Sequence, residues 1–132
     1  TAITRYLEAH KNTMYDWFMR ALKSDIHDTQ GGTTPEGIHT GVMAGTLDII
    51  FKGFAGVNLF KKTISIDPFL PKAWFRLKFI MQHRGNCFEI DITREQVKVK
   101  AMMKNKDKQE IIEVGEQSSV LSDSDFAIFK LK

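Results

Sequence analysis

The sequence predicts an α+β fold, in which helices come first and a small antiparallel β-sandwich follows. Apolar residues recur at helical spacing up to about residue 57, and beyond about residue 75 they alternate with polar residues. Turn signals also recur at regular intervals in the second half, which is typical of short antiparallel strands. We therefore predict two domains, a helical one over residues 1–57 and a β-sandwich over residues 58–132.

The helical part is predicted to contain three helices. The first ends at a turn over residues 10–12, and the second presents an apolar face formed by Met14, Trp17, Phe18, Ala21 and Leu22. The third runs from about residue 35 to 54 and is apolar nearly all round in its second half, so we expect it to be buried. Three helices with this much apolar surface are typical of the last helices of a larger helical barrel. The isolated chain is therefore expected to self-associate or to pack its helices against a companion.

Alternation predicts the strands and their register. Two strands flank Arg84-Gly85-Asn86-Cys87, which has Gly at the first central position, as a type II′ turn requires. Pairing about that turn gives three cross-strand pairs on one face: His83 with Phe88, Met81 with Ile90, and Phe79 with Ile92. Further strands are predicted near residues 97–101, 110–114 and 126–131, with a polar loop at 104–108 and a Ser-rich turn at 118–124.

The segment 31–39, GGTTPEGIH, predicts the start of the third helix. Thr34 is a good N-cap, Pro35 suits the first helical position, and Glu36 falls in the first turn. Such a start presents N–H groups without helical acceptors at the positive end of the helix dipole, so it can bind an anion. His39, one turn into the predicted helix, would add a further donor.

Three glycines, Gly37, Gly41 and Gly45, recur at helical spacing and leave one stripe of the predicted helix without side chains. Each interior Gly costs roughly 1 kcal/mol relative to Ala. The stripe therefore indicates that another backbone or a ligand comes close there. From the spacing alone, a tight helix–helix contact and a ligand site are equally good interpretations.

The segment 28–57, DTQGGTTPEGIHTGVMAGTLDIIFKGFAGV, resembles the late helical segment of glycoside hydrolase family 65. That family contains the inverting phosphorylases of maltose, trehalose, kojibiose and nigerose, and some phosphate-dependent trehalases. Residues 15–26 resemble the preceding helix of the family, and residues 66–74 resemble the linker into its C-terminal sheet domain. The likeness is dense over residues 14–92 and thin beyond about residue 100.

The resemblance implies that the helices close an (α/α)6 barrel in a parent enzyme several times longer than this chain. The chain begins at Thr1 without an initiator Met, and we expect it to be a C-terminal fragment. The family's catalytic Glu and its Lys-Gln phosphate contacts lie upstream. The chain is therefore expected to hold no catalytic residue and to be inactive alone, and its partners would be the rest of the catalytic domain and a second copy in a homo-oligomer.

The resemblance further implies a phosphate site formed by His39, Gly41 and Val42. Many maltose-type relatives have Ser where this chain has Val42, so only the backbone N–H remains there as a donor. Thr33, Thr34 and Glu36 are either capping and first-turn residues or contacts to sugar or phosphate, and both interpretations stay open. No metal and no organic cofactor is expected, because inorganic phosphate acts as the co-substrate of the disaccharide.

Two other functions are consistent with the sequence. The parent could be a hydrolase that merely requires phosphate. Alternatively, the chain could be a non-catalytic module that binds carbohydrate or a partner protein, which would account for its size of 132 residues but not for the glycine stripe.

Composition argues against several classes of function. The net charge of +3 is too small to argue for nucleic acid, and no apolar run is long enough to span a bilayer. The lone Cys87 excludes an internal disulfide and fits a reducing, cytoplasmic location. The four His residues show no zinc-ligand spacing. Trp17 and Trp74 are predicted to pack in the core rather than to stack on a sugar.

Overall fold

A single helix, α1 (Ala2–Lys23), occupies the start of the chain in the computed structural model, which describes residues 2–24, 26–27, 37–59, 62–103 and 108–132, with side chains from residue 9 onward. The predicted turn at residues 10–12 is wrong. The sequence of α1 contains neither Gly nor Pro, so nothing in it breaks a helix. Inside the helix the Thr13 hydroxyl donates to the carbonyl of Ala9, 2.9 Å away and one turn earlier, as a threonine within a helix can.

The second helix, α2 (Thr40–Asp48), continues directly into a π-helical segment at Ile49–Phe54. Phe54 is fully buried, and its ring meets those of Phe18 and Tyr15 edge-on, with centroids 5.3 Å and 6.3 Å away. These rings form an aromatic cluster in the helical part. The prediction that Trp17 packs in the core is wrong, because its side chain is 65% exposed.

The chain divides into two compact units, residues 1–54 and residues 55–132. No helix of the part that the structure describes combines the length and the apolarity needed to cross a bilayer. The described residues contain two helices rather than the predicted three. The (α/α)6 barrel therefore stays a prediction.

Residues 55–132 form two four-stranded sheets, as predicted in outline. In one sheet the order is β1 (Val57–Asn58), β2 (Ile64–Ile66), β6 (Glu110–Val114) and β7 (Gln117–Leu121). In the other the order is β3 (Arg76–His83), β4 (Asn86–Thr93), β5 (Gln96–Met102) and β8 (Phe126–Lys130). Neighbouring strands are antiparallel except β2 and β6, which run parallel.

The predicted Ser-rich turn over residues 118–124 is wrong, since most of it belongs to β7. Ser118 and Ser119 pair with Glu113 and Ile112 of β6, so backbone pairing overrides the turn preference of serine here. The turn is confined to the residues after Leu121. Asp125 closes it, because its carboxylate accepts from the backbone N–H of Ser122 at 2.9 Å.

The two-residue turn of the β3–β4 hairpin lies one residue earlier than predicted. Its two central residues are Arg84 and Gly85, with φ of 50° and 81°, and positive φ at both positions defines a type I′ turn. His83 therefore pairs with Asn86. The predicted pairs are wrong by two residues, because the observed ones are Met81 with Phe88, Phe79 with Ile90, and Leu77 with Ile92. A shift of two keeps every side chain on its predicted face.

One hydrophobic core joins the two sheets. Alternate residues of β4 and β5 are fully buried and meet the inner residues of β2 and β6; the members include Phe88, Ile90, Ile92, Val97, Val99, Ile64, Ile66 and Ile112. The period-two pattern therefore identified the buried face correctly. The predicted sandwich is confirmed as two packed sheets with a shared core.

Hydrogen bonds hold residues 67–74, the segment that leads into β3, to the rest of the sandwich. The guanidinium Nη2 of Arg94 donates to the carbonyls of Lys72, Trp74 and Pro71 at 2.8, 3.2 and 3.3 Å. Earlier in the chain, Asp67 N–H donates to the carbonyl of Gly56 at 3.1 Å. The segment that leads into β3 is thus held in place by hydrogen bonds to main-chain carbonyls.

The outer face of the second sheet carries a forked ion pair. Arg76 Nε and Nη2 donate to the two carboxylate oxygens of Asp91 at 2.7 and 2.6 Å. The hydrogen bond from Arg76 lowers the pKa of Asp91, with the charges of Arg76, Lys78 and Lys98 acting in the same direction, and the same bond raises the pKa of Arg76. The pair adds stability above the pKa that Asp has in the unfolded chain, and this contribution disappears as the pH falls through the lowered pKa.

Replacing Asp91 by Asn is therefore expected to lower stability slightly at neutral pH and not at all near pH 2. The effect should be small because Arg76 is exposed and the pair is screened by solvent. Urea titrations of both proteins at the two pH values measure it. Glu116→Gln is the control, since Glu116 lies 3.9 Å from Lys132 and is 96% exposed. An equal loss at both pH values would contradict the charge-based explanation.

Candidate functional site

The start of α2 is the place where the sequence predicts an anion site, and the structure puts His39 at its N-cap. The backbone of His39 is extended, with φ −81° and ψ 101°, and its side chain makes no capping hydrogen bond. Its carbonyl accepts from the N–H groups of Val42 and Met43 at 3.0 and 3.2 Å. The amides of Thr40 and Gly41 thus precede the first hydrogen-bonded turn and have no acceptor within the helix.

The predicted helix over residues 35–54 is wrong at residues 37–39, while residues 35 and 36 lie outside the described residues. Gly37 has φ +95°, which an α-helix cannot contain, and α2 begins only at Thr40. His39 therefore caps the helix instead of lying one turn inside it. It remains at the positive end of the dipole, beside the amides of Thr40 and Gly41.

The glycine stripe is shorter than predicted, because Gly37 lies outside α2. A Cβ added at Gly41 or Gly45 would meet nothing within 4 Å. The close approach that the stripe predicts is therefore not made by another described segment. Gly53 differs, since a Cβ there would lie 3.0 Å from Met14 Sδ.

The three predicted phosphate contacts are neighbours in space and differ in what they offer. His39 and Gly41 are exposed, and Val42 is 37% exposed. The N–H of Val42 already donates to His39, so the amides that point away from the helix are those of Thr40 and Gly41. The predicted residues Thr33, Thr34 and Glu36 lie outside the described residues.

A second concave region lies within residues 55–132, where one end of the sandwich opens into a cleft of about 850 Å³. Pro68, Phe69 and Leu131 give it apolar walls, and its charged residues have both signs: Arg94, Lys130, Lys132, Asp67 and Glu116. The cations have protein partners: Arg94 binds the three carbonyls described above, Lys130 Nζ donates to Gln96 Oε1 at 2.8 Å, and Lys132 Nζ lies 3.9 Å from Glu116. The cleft is thus better suited to a neutral ligand than to an anion.

Sequence reasoning missed this cleft and the role of Arg94. No local pattern indicates either, because the walls come from four separate stretches of chain. Within the described ranges, no group of three or more His, Cys, Asp or Glu residues is placed to hold a metal ion.

Comparisons with known proteins bear on both regions. Residues 58–114 match the family model described as glycosyl hydrolase family 65, C-terminal domain. The chain is 46% identical over 82 residues to a trehalose 6-phosphate phosphorylase of Lactococcus lactis subsp. lactis (strain IL1403), covering 62% of this chain and 11% of that protein. It is 35% identical over 94 residues to a kojibiose phosphorylase of Thermoanaerobacter brockii, covering 70% of this chain and 12% of the relative.

The fold also has a counterpart among solved structures. A proposed kojibiose phosphorylase from the human microbiome superimposes with a TM-score of 0.74 and 22% identity, over 88% of this chain and 15% of that one. The chain spans about a tenth of the length of the curated relatives that it matches. The resemblance seen in the sequence is confirmed, because residues 58–114 match the C-terminal domain of glycosyl hydrolase family 65.

Proposed function

We propose that this chain is the C-terminal part of an inverting phosphorylase of α-glucosyl disaccharides, and that the start of α2 supplies part of its phosphate site. The observation that carries the proposal is the exposed N-cap His39 beside the amides of Thr40 and Gly41, which have no acceptor within the helix. The similarity to proteins named as trehalose 6-phosphate, kojibiose and 1,2-alpha-glucosylglycerol phosphorylases supports the reaction class.

In this reaction a phosphate oxygen attacks the anomeric carbon while the glycosidic bond breaks on the opposite face. A carboxylic acid gives its proton to the leaving sugar oxygen, and the configuration at carbon inverts. Phosphate takes the place of the water that a hydrolase would activate. The acid would come from a part of the catalytic domain that this chain does not contain, so the chain alone is inert.

The α2 start acts on phosphate by position and charge. Backbone amides at a helix N-terminus point outward and bind oxyanions, and the dipole adds a favourable field. An imidazole N–H from His39 would complete a three-donor arrangement.

Replacing His39 by Ala in the full-length parent is expected to weaken apparent phosphate affinity roughly ten- to hundredfold, the loss of one charge-assisted hydrogen bond. Initial rates at varied phosphate concentration measure this, and product analysis for sugar phosphate against free glucose separates a phosphorylase from a hydrolase. His27→Ala is the matched control, since His27 is an exposed histidine that follows α1. His39→Gln, which keeps an N–H donor, should retain part of the affinity.

Two results would overturn the assignment. One is unchanged phosphate dependence combined with a sharp fall in melting temperature, which would make His39 a structural residue. The other is an equal effect of His27→Ala, which would mean that general surface charge is responsible.

A second candidate function, carbohydrate binding without catalysis, is favoured by the cleft at the end of the sandwich. Its apolar walls and its mixed polar groups suit a neutral sugar. An NMR titration of the chain with glucose, trehalose and kojibiose tests this. Shifts confined to residues such as Phe69 and Gln117 would support it, and no shifts would reject it.

A further inference from the structure

The inner face of the sandwich becomes polar at the end where the β3–β4 hairpin turns. The inward side chains of β4 are Asn86, Phe88, Ile90 and Ile92, so the first of them interrupts an otherwise apolar row. Asn86 is nevertheless only 2% exposed. It pairs directly with His83, the last residue of β3, and both side chains lie on the inner face. An amide and an imidazole thus lie side by side at the end of the core.

Each of these two side chains has a buried polar atom that lacks a hydrogen-bond partner. The atoms are Nδ2 of Asn86 and Nε2 of His83, and among the described residues no group forms a hydrogen bond with either. Buried polar groups are nearly always satisfied by protein or by ordered water, because an unpaired one costs its full desolvation penalty. Two unpaired atoms on directly opposed residues therefore indicate a partner that both share.

The shared partner must be small and enclosed. Directly opposed residues have Cβ atoms about 5 Å apart, so both side chains can contact one molecule. Bulk solvent does not reach either polar atom. A segment of a longer parent or a second copy of the chain therefore cannot contact them while the hairpin stays folded. A small hydrogen-bonded molecule fits more closely than an apolar neighbour, because a hydrogen bond brings two heavy atoms to about 2.7–3.2 Å.

Water matches the two atoms chemically. The Nδ2 atom of Asn86 can only donate, whereas Nε2 of a neutral imidazole can accept. Water can accept from the first and donate to the second at the same time. A metal cation cannot take this position, because an amide N–H offers it no lone pair.

A third polar residue lies at the same end of the sandwich. Glu110, the first residue of β6, faces inward and is 6% exposed. It pairs with Leu121, and two residues further on the carboxylate of Asp123 accepts from the N–H of Met103 at 2.8 Å. Met103 directly follows β5, which ends beside Cys87. This end of the core therefore offers a further acceptor, and buried waters typically make about three hydrogen bonds.

We propose that one buried water molecule bridges Asn86 and His83 and is a fixed part of the sandwich. It accepts from Asn86 Nδ2–H and donates to Nε2 of the neutral His83 ring, which leaves its second proton for an acceptor such as the Glu110 carboxylate. The water joins the two strands of the hairpin inside the core, next to the turn. The proposal is independent of the proposed enzymatic function.

A double-mutant cycle on the 132-residue chain tests the shared water, using urea unfolding of Asn86→Leu, His83→Phe and the double variant. Each single substitution removes one partner of the water and should raise the unfolding equilibrium constant about five- to thirtyfold. The double variant removes both partners, so its effect should fall at least about threefold short of the product of the single effects. Gln82→Leu is the matched control, since it replaces an exposed amide of the same hairpin and should change little.

The sign of the change in Asn86→Leu is decisive. If no water were bound, this substitution would remove an unpaired buried amide and stabilise the chain, which would overturn the proposal. Strictly multiplicative effects of the two substitutions would also overturn it, because His83 and Asn86 would then share nothing.

Direct observation supplies the second measurement. A high-resolution crystal structure should show one ordered water within about 3.2 Å of both atoms. In solution, the side-chain amide protons of Asn86 should give nuclear Overhauser effects to a long-lived water. A direct hydrogen bond between the two side chains would overturn the proposal, and so would stability that rises with chloride at constant ionic strength, which would indicate a bound anion.

Discussion

Replacing Gly56 by Ala is expected to destabilise the sandwich by about 2–5 kcal/mol, combining backbone strain and overpacking. Gly56 has φ +63°, and a Cβ there would lie 1.9 Å from the carbonyl oxygen of Asp67. The two residues cannot separate freely, since Asp67 N–H donates to the Gly56 carbonyl. A loss of this size is a large part of the roughly 5–15 kcal/mol that holds an ordinary domain folded.

Urea unfolding followed by far-UV circular dichroism measures the change, and Gly115→Ala is the matched control. Gly115 has φ +59° but a Cβ there would meet nothing within 4 Å, so its replacement reports only the left-handed strain of about 1–2 kcal/mol. The difference between the two variants isolates the clash with Asp67. Equal losses would show that the backbone around Gly56 relaxes, and the close contact would then not explain the glycine.

Replacing Phe54 by Ala is expected to cost the helical part about 3–5 kcal/mol, the usual range for truncating a buried aromatic side chain. Phe54 is fully buried and forms the centre of the aromatic cluster, where it contacts both Phe18 and Tyr15. Phe54 lies in the π-helical segment, so its removal should weaken the packing of that segment against α1. Helical signal at 222 nm should decrease before the strands unfold.

Trp17→Ala is the control for this prediction. Trp17 is adjacent to Phe18 in α1 but is 65% exposed, so its removal should leave helicity nearly unchanged. The variant keeps Trp74, whose fluorescence then reports on residues 55–132 alone. If Trp17→Ala destabilised the helices as much as Phe54→Ala, the aromatic cluster would not be the main source of their stability.

The sequence was most informative about the strands, because alternation depends only on which face is buried. It identified Phe88, Ile90 and Ile92 as one face and located β6 at residues 110–114, as the structure shows. It could not give the hairpin register. That depends on Arg84 adopting φ +50°, a conformation that a non-glycine residue rarely takes and that composition does not predict.

The helices were less predictable, because apolar spacing locates a helical face and not its ends. Residues 10–12 looked like a turn on polarity alone, yet they lie inside α1. The helix was predicted to start early because Thr34 and Pro35 are favourable capping residues, whereas Gly37 has a positive φ and α2 begins only at Thr40. A glycine's φ is set by its surroundings, which the local sequence does not contain.

For the candidate site, residue types and spacing indicated an anion at a helix start, and the resemblance supplied His39 as its ligand. The structure begins the helix at Thr40 and places His39 at its N-cap. Arg94 could not have been found this way, because the three carbonyls that it binds lie about twenty residues earlier in the chain. Local patterns identify sites built from neighbouring residues and miss those built by tertiary contact.

The parallel pairing of β2 and β6 has a consequence for how the protein is made. Ile64 lies beside Ile112, and all of β3, β4 and β5 come between them in the chain. During synthesis β2 leaves the ribosome long before its partner exists, whereas β3, β4 and β5 can pair as soon as they emerge. The sheet that contains β2 and β6 should therefore assemble last. Until then the apolar residues of β2 are exposed and prone to aggregation.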